Sequence, residues 1–483
     1  MIKRIALLVV STACAAVMAA PLEKQRKPNF LFFMADDLNK EYYGCYGHEK
    51  TPAPTTSRLA REGMVFDQAF TGQAICAPSR SMIYTGLYPL RNGAFKNHSE
   101  VYKGTKSVCH YLPKLGYDVI LCGKSHVNPD TCFPWTRVMH SVESSGSKEK
   151  YTDLVIDTTK LERYFAEDNR GNARPFCIMA TSYFPHGDHP EQTYYQEKDV
   201  RLTRFQEDNE RTRKSEARFY QAVKNGDDEL AQILVLLDKY NLADNTVVMF
   251  ASDHGRFGKW SVYDKGLNVP FVVRWPGRIK AGTRTRALVS FADVLPTLLD
   301  LAGGDPIADM DGKSFTQVLM GQRDTHQDYV YGVMTNQGII NAHVFPGRMI
   351  RSQRYKYIRN YNAREVVERR KRRGEPLSPF LKLGASQHPG VQEEELFDIL
   401  NDPYEQNNLA QVPAYYDIKS KLKKDLQTWL VAQNDFLAVE GVMPLLAVKK
   451  PFRLDLRHPK NKRPLPAELK NSLDNYDFYV HKP

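Results

Sequence analysis

The sequence predicts an α/β protein: a mostly parallel sheet with helices on both faces, followed by a smaller α+β region built on an antiparallel sheet. Three observations carry this. Short apolar runs without polar alternation, Asn29–Met34, Gly116–Leu121, Pro175–Ser182, Thr246–Ala251 and Asn268–Val273, read as strands buried on both faces. Helical segments separate them. Glu207–Lys239 is charged at first and then apolar at Leu230, Ile233, Leu234 and Leu237, and in Phe291–Ala302 Pro296 predicts a kink or break. After Thr325–Phe345 the pattern changes. Arg348–Arg359 alternates like an edge strand, Glu395–Leu400 runs into the turn Asn401-Asp402-Pro403, and Asp417–Val431 reads as a packing helix. The expected division is a leader at 1–20, a large α/β domain at 21–345 and a smaller domain at 346–483.

Taken in order, Met1–Ala20 has the form of a secretory signal: Lys3 and Arg4, the apolar Ile5–Val10, then small residues around Val17–Ala20. Its apolar run is too short to span a bilayer, and no other stretch is a candidate span. Ser11-Thr12-Ala13-Cys14 is a poor lipoprotein box because of its first residue, so anchoring at Cys14 is not expected. A secreted or periplasmic protein is the expectation. The first strand ends in Asp36-Asp37, and Thr246–Ala251 ends in Ser252-Asp253-His254. Open α/β sheets place ligands at the carboxyl edge of their strands. Adjacent carboxylates repel unless a cation lies between them, so acidic tips on two strands suggest a hard divalent ion, with a solvated turn as the plain alternative.

Between these strands lies Gln73–Gly86. Pro78 suits a first helical turn and Gly86 a stop, so a helix Pro78–Thr85 would hold Cys76 at its mouth, where free N–H groups attract an anion. Arg80 follows about one turn on, and its planar fork suits a tetrahedral oxyanion. A lone Cys-x-x-x-Arg would otherwise read as a structural cysteine beside an arginine. The loop Asn92–Ser99 carries His98, which can donate to and accept from a hydroxyl. Past Gly116–Leu121 come Lys124 and His126. Past Pro175–Ser182 come His186 and His189, and past Asp253 comes Lys259.

Cys76-Ala77-Pro78-Ser79-Arg80 with Thr85-Gly86 resembles the modification motif of type I sulfatases, Tyr84 standing where the family has leucine. Gly123-Lys124-Ser125-His126, Pro185-His186, Asp36-Asp37, Asp253-His254, Gly258-Lys259-Trp260 and the run Glu395–Leu409 resemble further segments of that family, in order. The resemblance implies an alkaline-phosphatase-like fold and a Cys76 oxidised to Cα-formylglycine by a maturase, its hydrated aldehyde acting as nucleophile. It implies Ca²⁺, or Mg²⁺, held by Asp36, Asp37, Asp253 and His254 with the residue-76 oxygen. His254 stands where asparagine is usual. Arg80, Lys124 and Lys259 would bind sulfate, His126 would remove a gem-diol proton, and His186, with His189 as the fallback, would serve the leaving group. Asn97-His98, Gly123–Pro129 and the carboxyl-terminal region look most like heparan N-sulfatase and its bacterial relatives, with His98 reading the sugar. N- and O-sulfate stay open. A phosphate or phosphonate hydrolase of the same superfamily is the rival enzyme, and a mere binder of sulfated glycans the rival without chemistry.

The basic balance would favour a polyanionic substrate, with a merely soluble basic surface as the plain alternative. The formal charge is +11, or +9 once Lys3 and Arg4 leave with the signal, which suits a sulfated carbohydrate partner. No recognisable nucleic-acid motif is present. Loss of Cys14 leaves six cysteines in the mature chain, and conversion of Cys76 would leave five, so at least one is unpaired. Their spacing matches no zinc pattern.

Overall fold

The structure, a computed structural model, describes residues 26–48, 50–95, 97–142, 154–168, 173–187, 189–204, 206–334, 346–361, 372, 392–435 and 437–438. Residues 1–20, 143–150, 369–371, 373 and 451–483 lie outside the described residues. Among those described, no helix is long and apolar enough to cross a membrane.

Two of the predicted strands, β1 (Asn29–Ala35) and β8 (Thr246–Ser252), lie side by side at the centre of a nine-stranded sheet. The sheet also contains β2 (Met64–Phe70), β3 (Asp118–Gly123), β4 (Arg137–Val138), β7 (Phe176–Thr181), β9 (Asn268–Arg274), β10 (Thr283–Thr285) and β11 (Val289–Ser290). The order is β10-β2-β9-β8-β1-β7-β3-β4, with β11 also on β2. β5 (His140–Val142) and β6 (Leu154–Ile156) pair separately. Every ladder in the large sheet is parallel except the two made by β9, which therefore runs against all its companions.

The alternation of side chains along a strand explains why these runs are apolar throughout. Phe30, Phe32 and Met34 of β1 enter one core with Met82, Ile83 and Leu295. Leu31, Phe33 and Ala35 enter the other with Leu59, Leu230 and Leu237. The second layer includes the helix Glu210–Lys239, whose start is fixed where Asn209 accepts from the Thr212 N–H at 2.9 Å. Phe291–Ala302 is divided as Pro296 suggested, but earlier: a 3₁₀ turn Phe291–Asp293 leads into the helix Val294–Leu301, leaving Pro296 in the first turn, where it needs no N–H partner. β2 carries no pattern of its own in the sequence, because Asp67 and Gln68 interrupt it, and it went unpredicted.

The second sheet orders β12 (Val330–Met334), β13 (Gly347–Arg351), β14 (Tyr355–Asn360) and β15 (Glu394–Asp398), all antiparallel. Its first strand thus precedes residue 345. Arg348–Arg359 is not one edge strand but two inner ones. Three of its charges, Arg348, Arg351 and Lys356, are buried and paired. Arg348 donates to Asp435 at 2.5 and 3.0 Å, while Arg351 and Lys356 both reach Asp264. One face of this sheet packs Met349, Ile358 and Phe397 on Phe70, Ile75 and Leu267 of the large domain. The other packs Ile350, Tyr357 and Leu396 under the helix Tyr416–Ala432. Removing one partner of a buried pair leaves the other charge uncompensated. Asp435→Ala is therefore expected to cost about 3 kcal/mol of unfolding free energy, measured by urea denaturation. The double change Arg348→Met, Asp435→Leu should recover most of it.

Candidate active site

Apart from His98, which lies beyond the helix Pro89–Asn92, the sequence-predicted site residues come from the carboxyl edge of the large sheet or from the amino end of the reversed strand β9, which faces the same way. Asp36 and Asp37 follow β1, Lys124 and His126 follow β3, His186 follows β7, and Asp253 and His254 follow β8. Lys259 lies between β8 and β9. Gly258 lets its loop close, since a Cβ there would stand 2.0 Å from the Gly266 N. The helix bearing Cys76 and Arg80 runs Cys76–Thr85, two residues longer than expected, so Cys76 is its first residue. It stops at Gly86, whose φ of 70° is left-handed.

Two carboxylates bind the strand tips together. Asp253 Oδ1 accepts from the Asp37 N–H at 3.1 Å and the His254 N–H at 2.8 Å. Asp36 Oδ2 accepts from Lys124 Nζ and from Arg80 Nη2, the latter at 3.3 Å. Arg80 Nε stands 3.4 Å from Asp253 Oδ2, yet neither atom forms a hydrogen bond. Lys259 Nζ donates to both oxygens of Asp37, at 3.0 and 2.8 Å. His254 Nε2 is 2.9 Å from Asp37 Oδ1.

Cys76 sits in the middle. Its Sγ is 3.3 Å from His254 Nε2, 3.5 Å from Asp36 Oδ1, 3.8 Å from Lys259 Nζ and 4.0 Å from Asp37 Oδ1. Backbone anchors hold the frame: Ser79 Oγ donates to the Asp253 carbonyl at 2.6 Å, and Thr181 Oγ1 to the Lys124 carbonyl at 2.5 Å. Sequence reasoning missed both hydroxyls, since a serine or threonine carries no signal of its partner.

Charge states follow from burial and neighbours. Burial raises Asp36 and Asp37, but cations outweigh it: Lys124, His186, Arg80 and Lys259 for the first, His254 and Lys259 for the second. Both carboxyls are held well below the usual range. Asp253 is pushed up, by burial and then by Asp36. Burial lowers His254, yet Asp253, Asp37 and Cys76 more than reverse this. Burial, then Asp36 and Asp253, pushes the Cys76 thiol up. An unmodified Cys76 keeps its proton and makes a poor nucleophile.

His126 is buried, and its Nε2 lies 2.9 Å from Nδ1 of the exposed His98. Burial, Lys124, His98 and Arg80 lower its pKa to about 2, so it is neutral at any working pH. His98 is thus engaged with a buried histidine of the site as well as open to solvent. His186 Nε2 stands 3.9 Å from Asp37 Oδ2, whereas His189 packs edge-on against Phe219. The geometry brings His186, not His189, to the cluster. A cavity of about 810 Å³ lined by Lys40, Tyr263, Asp264 and Arg351 is separate and contains none of these residues.

The profile of the Sulfatase family matches residues 28–304, and that of the N-sulphoglucosamine sulphohydrolase C-terminal region matches residues 252–378. The chain belongs to the sulfatase family. An ulvan-active sulfatase of Formosa agariphila is 42% identical to this sulfatase over 460 residues, 94% of this chain and 90% of the relative. Human N-sulphoglucosamine sulphohydrolase is 24% identical over 494 residues, 90% of this chain and 96% of that one. Among solved structures, a complex with its substrate D-glucosamine-2-N,6-O-disulfate superposes with a TM-score of 0.66 at 20% identity, covering 86% of this sulfatase and 100% of that chain. The likeness confirms the fold. The six cysteines from Cys45 to Cys177 are free thiols, so the cysteine count is not explained by disulfides.

Proposed function

We propose that this sulfatase hydrolyses sulfate groups on a sulfated glycan, an ulvan-type algal polysaccharide before a glycosaminoglycan, using a formylglycine at position 76 and a bound Ca²⁺. The observation that carries the reading is the meeting of Cys76, Arg80, Lys124 and Lys259 with the buried Asp36 and Asp253 and the half-buried Asp37 at one sheet edge. The high identity to an ulvan-active enzyme over nearly the whole chain supports the substrate. The signal-like Met1–Ala20 supports export, and with it an encounter with a maturase and with extracellular glycan.

The residues present fit both absent groups. Ligand atoms of Asp36, Cys76, Asp253 and His254 lie within 4.8 Å of one another, and Asp253 Oδ2 is buried with no hydrogen bond. Carboxylate oxygens are the ligands Ca²⁺ prefers, with Mg²⁺ the smaller candidate. Asp36, Asp37, Asp253 and His254 would hold the ion beside residue 76. When present, the two groups supply a gem-diol oxygen that attacks sulfur and later releases sulfate, and a positive charge beside it.

Protein charges set up the rest. Arg80, Lys124 and Lys259 offset Asp36, Asp37 and Asp253, so a divalent cation leaves an excess of positive charge to attract the anionic sulfate group. Arg80, Lys124 and Lys259 stabilise charge that develops on the transferring oxygens. His186, partly exposed, or Lys259 gives a proton to the departing atom. Neutral His126 exchanges a proton on the sulfate side, and His98 meets the sugar.

The test is a desulfation screen over defined ulvan and glycosaminoglycan oligosaccharides with protein secreted from a host that makes formylglycine. Sulfate release from ulvan oligosaccharides, and an aldehyde in the tryptic peptide containing residue 76, are expected. Faster turnover of matched phosphate esters would overturn the reading.

A further inference from the structure

The site contains a hydrogen-bond chain whose direction can be worked out from its first member. Asn97 Oδ1 accepts from the Ala77 backbone N–H at 3.4 Å, which fixes the orientation of the amide, because a backbone N–H can only donate. The Asn97 NH₂ then faces His98 Nε2 at 3.1 Å and must donate to it. A nitrogen that accepts carries no proton, so neutral His98 is protonated on Nδ1. That proton points at His126 Nε2, 2.9 Å away. Neutral His126 in turn must carry its own proton on Nδ1, an atom that is buried and has no protein partner. A buried unpaired donor is a costly feature in want of a cause.

We propose that Asn97 and His98 form a relay that holds His126 with its proton on Nδ1, so that at rest it offers a hydrogen bond to a sulfate oxygen. Sulfate oxygens only accept, and a bare lone pair on His126 would repel them. His126 is then a donor first. It can remove a proton from the reacting centre only after passing its own on, and the relay supplies the route. One proton taken up at His98 Nε2, once the Asn97 NH₂ swings off that atom, moves the Nδ1 proton of His98 to His126 Nε2. The Nδ1 proton of His126 then moves to the bound oxygen, leaving both rings neutral with one proton each. The reverse passage takes a proton out to solvent. The charged and titratable groups facing His126 are Lys124, His98, Arg80 and Asp36. The backbone at both histidines is left-handed, with φ of 56° at His98 and 53° at His126, which costs energy at residues with a side chain and holds the rings in register. The proposal rests on the sulfatase reading only in placing a sulfate oxygen against His126. Asn97 and His98 are positioning residues.

Two-bond ¹H–¹⁵N correlation of ring-labelled histidine reads the tautomers directly, with His98→Gln and His126→Gln assigning the signals. Both rings are expected as Nδ1–H, the form that free imidazole side chains disfavour. Asn97→Asp accepts where the amide donated, so it should switch both rings to Nε2–H. His98→Gln should lower kcat about tenfold on an aryl sulfate and on the glycan alike, since transfer needs the relay with either substrate, while a lost sugar contact would add only to KM on the glycan. An Nε2–H His126 in the parent protein overturns the proposal without reference to any variant, and so does an unmoved tautomer in a folded Asn97→Asp. A loss confined to the glycan would return His98 to sugar binding alone and overturn the relay's part in transfer. Failure of the matured protein to release any sulfate would refute the sulfatase reading and leave the tautomer result standing.

Discussion

Cys76→Ala is expected to reduce kcat/KM by at least about four orders of magnitude, the scale on which nucleophile replacements act, while the protein stays folded. The two halves of this expectation have separate reasons. Alanine keeps the backbone and Cβ of the first residue in a helix that is buried at every position. The shortest polar contact of the thiol it removes is the 3.3 Å to His254, so the stability cost is about 1 kcal/mol. Turnover, however, has no substitute for an oxygen at this point, because the carboxylates among Arg80, Lys124 and Lys259 are engaged by those cations. What remains would come from binding and charge stabilisation alone. Unfolding curves and kcat/KM on an aryl sulfate check the two halves. Full activity with alanine at position 76 would end the formylglycine reading.

Exhaustive chelation is expected to remove most activity, and Ca²⁺ to restore it. Asp253→Asn should lower kcat by about 10²- to 10³-fold and abolish the response to added metal. Asparagine keeps the size and one acceptor for the Asp37 and His254 N–H groups, but it removes the charge opposite Arg80. Metal that binds only the folded protein raises the unfolding temperature, so chelator should lower it in the parent and not in Asp253→Asn. Metal content by elemental mass spectrometry provides a second readout. Unchanged activity after full chelation would exclude this cluster as a catalytic metal site.

Much of this arrangement was legible in the sequence because the sheet is simple where it matters. β1 and β8 are apolar on both faces and end in acids, a pattern that needs no partner to be read. β3 is displaced by two residues from its expected start because Gly116, with a φ of 88°, turns the chain before the ladder begins. What could not be read was pairing. Arg348 looks like a surface charge until Asp435, 87 residues on, is placed against it. His98 looks like a loop histidine until a loop 28 residues away brings His126 to it. The two alternatives His186 and His189 differ by three residues in sequence and are parted only by the turn after β7. The orientation of Asn97, too, depends on a backbone N–H at the helix start, which no side-chain pattern reports.

The burial of the Cys76 helix also sets an order of events. With Cys76 1% exposed and its Sγ enclosed by Asp36 and Asp37 after β1, His254 after β8 and Lys259, a second protein cannot reach its Cβ once the sheet has closed. An enzyme that oxidises this side chain must work on the extended chain. Conversion by such an enzyme would compete with folding: a chain that collapsed too soon would be sealed with an inert thiol, well packed and without chemistry. Yield of working enzyme would therefore depend on the delay before the last strands close over residue 76, not on the stability of the finished fold.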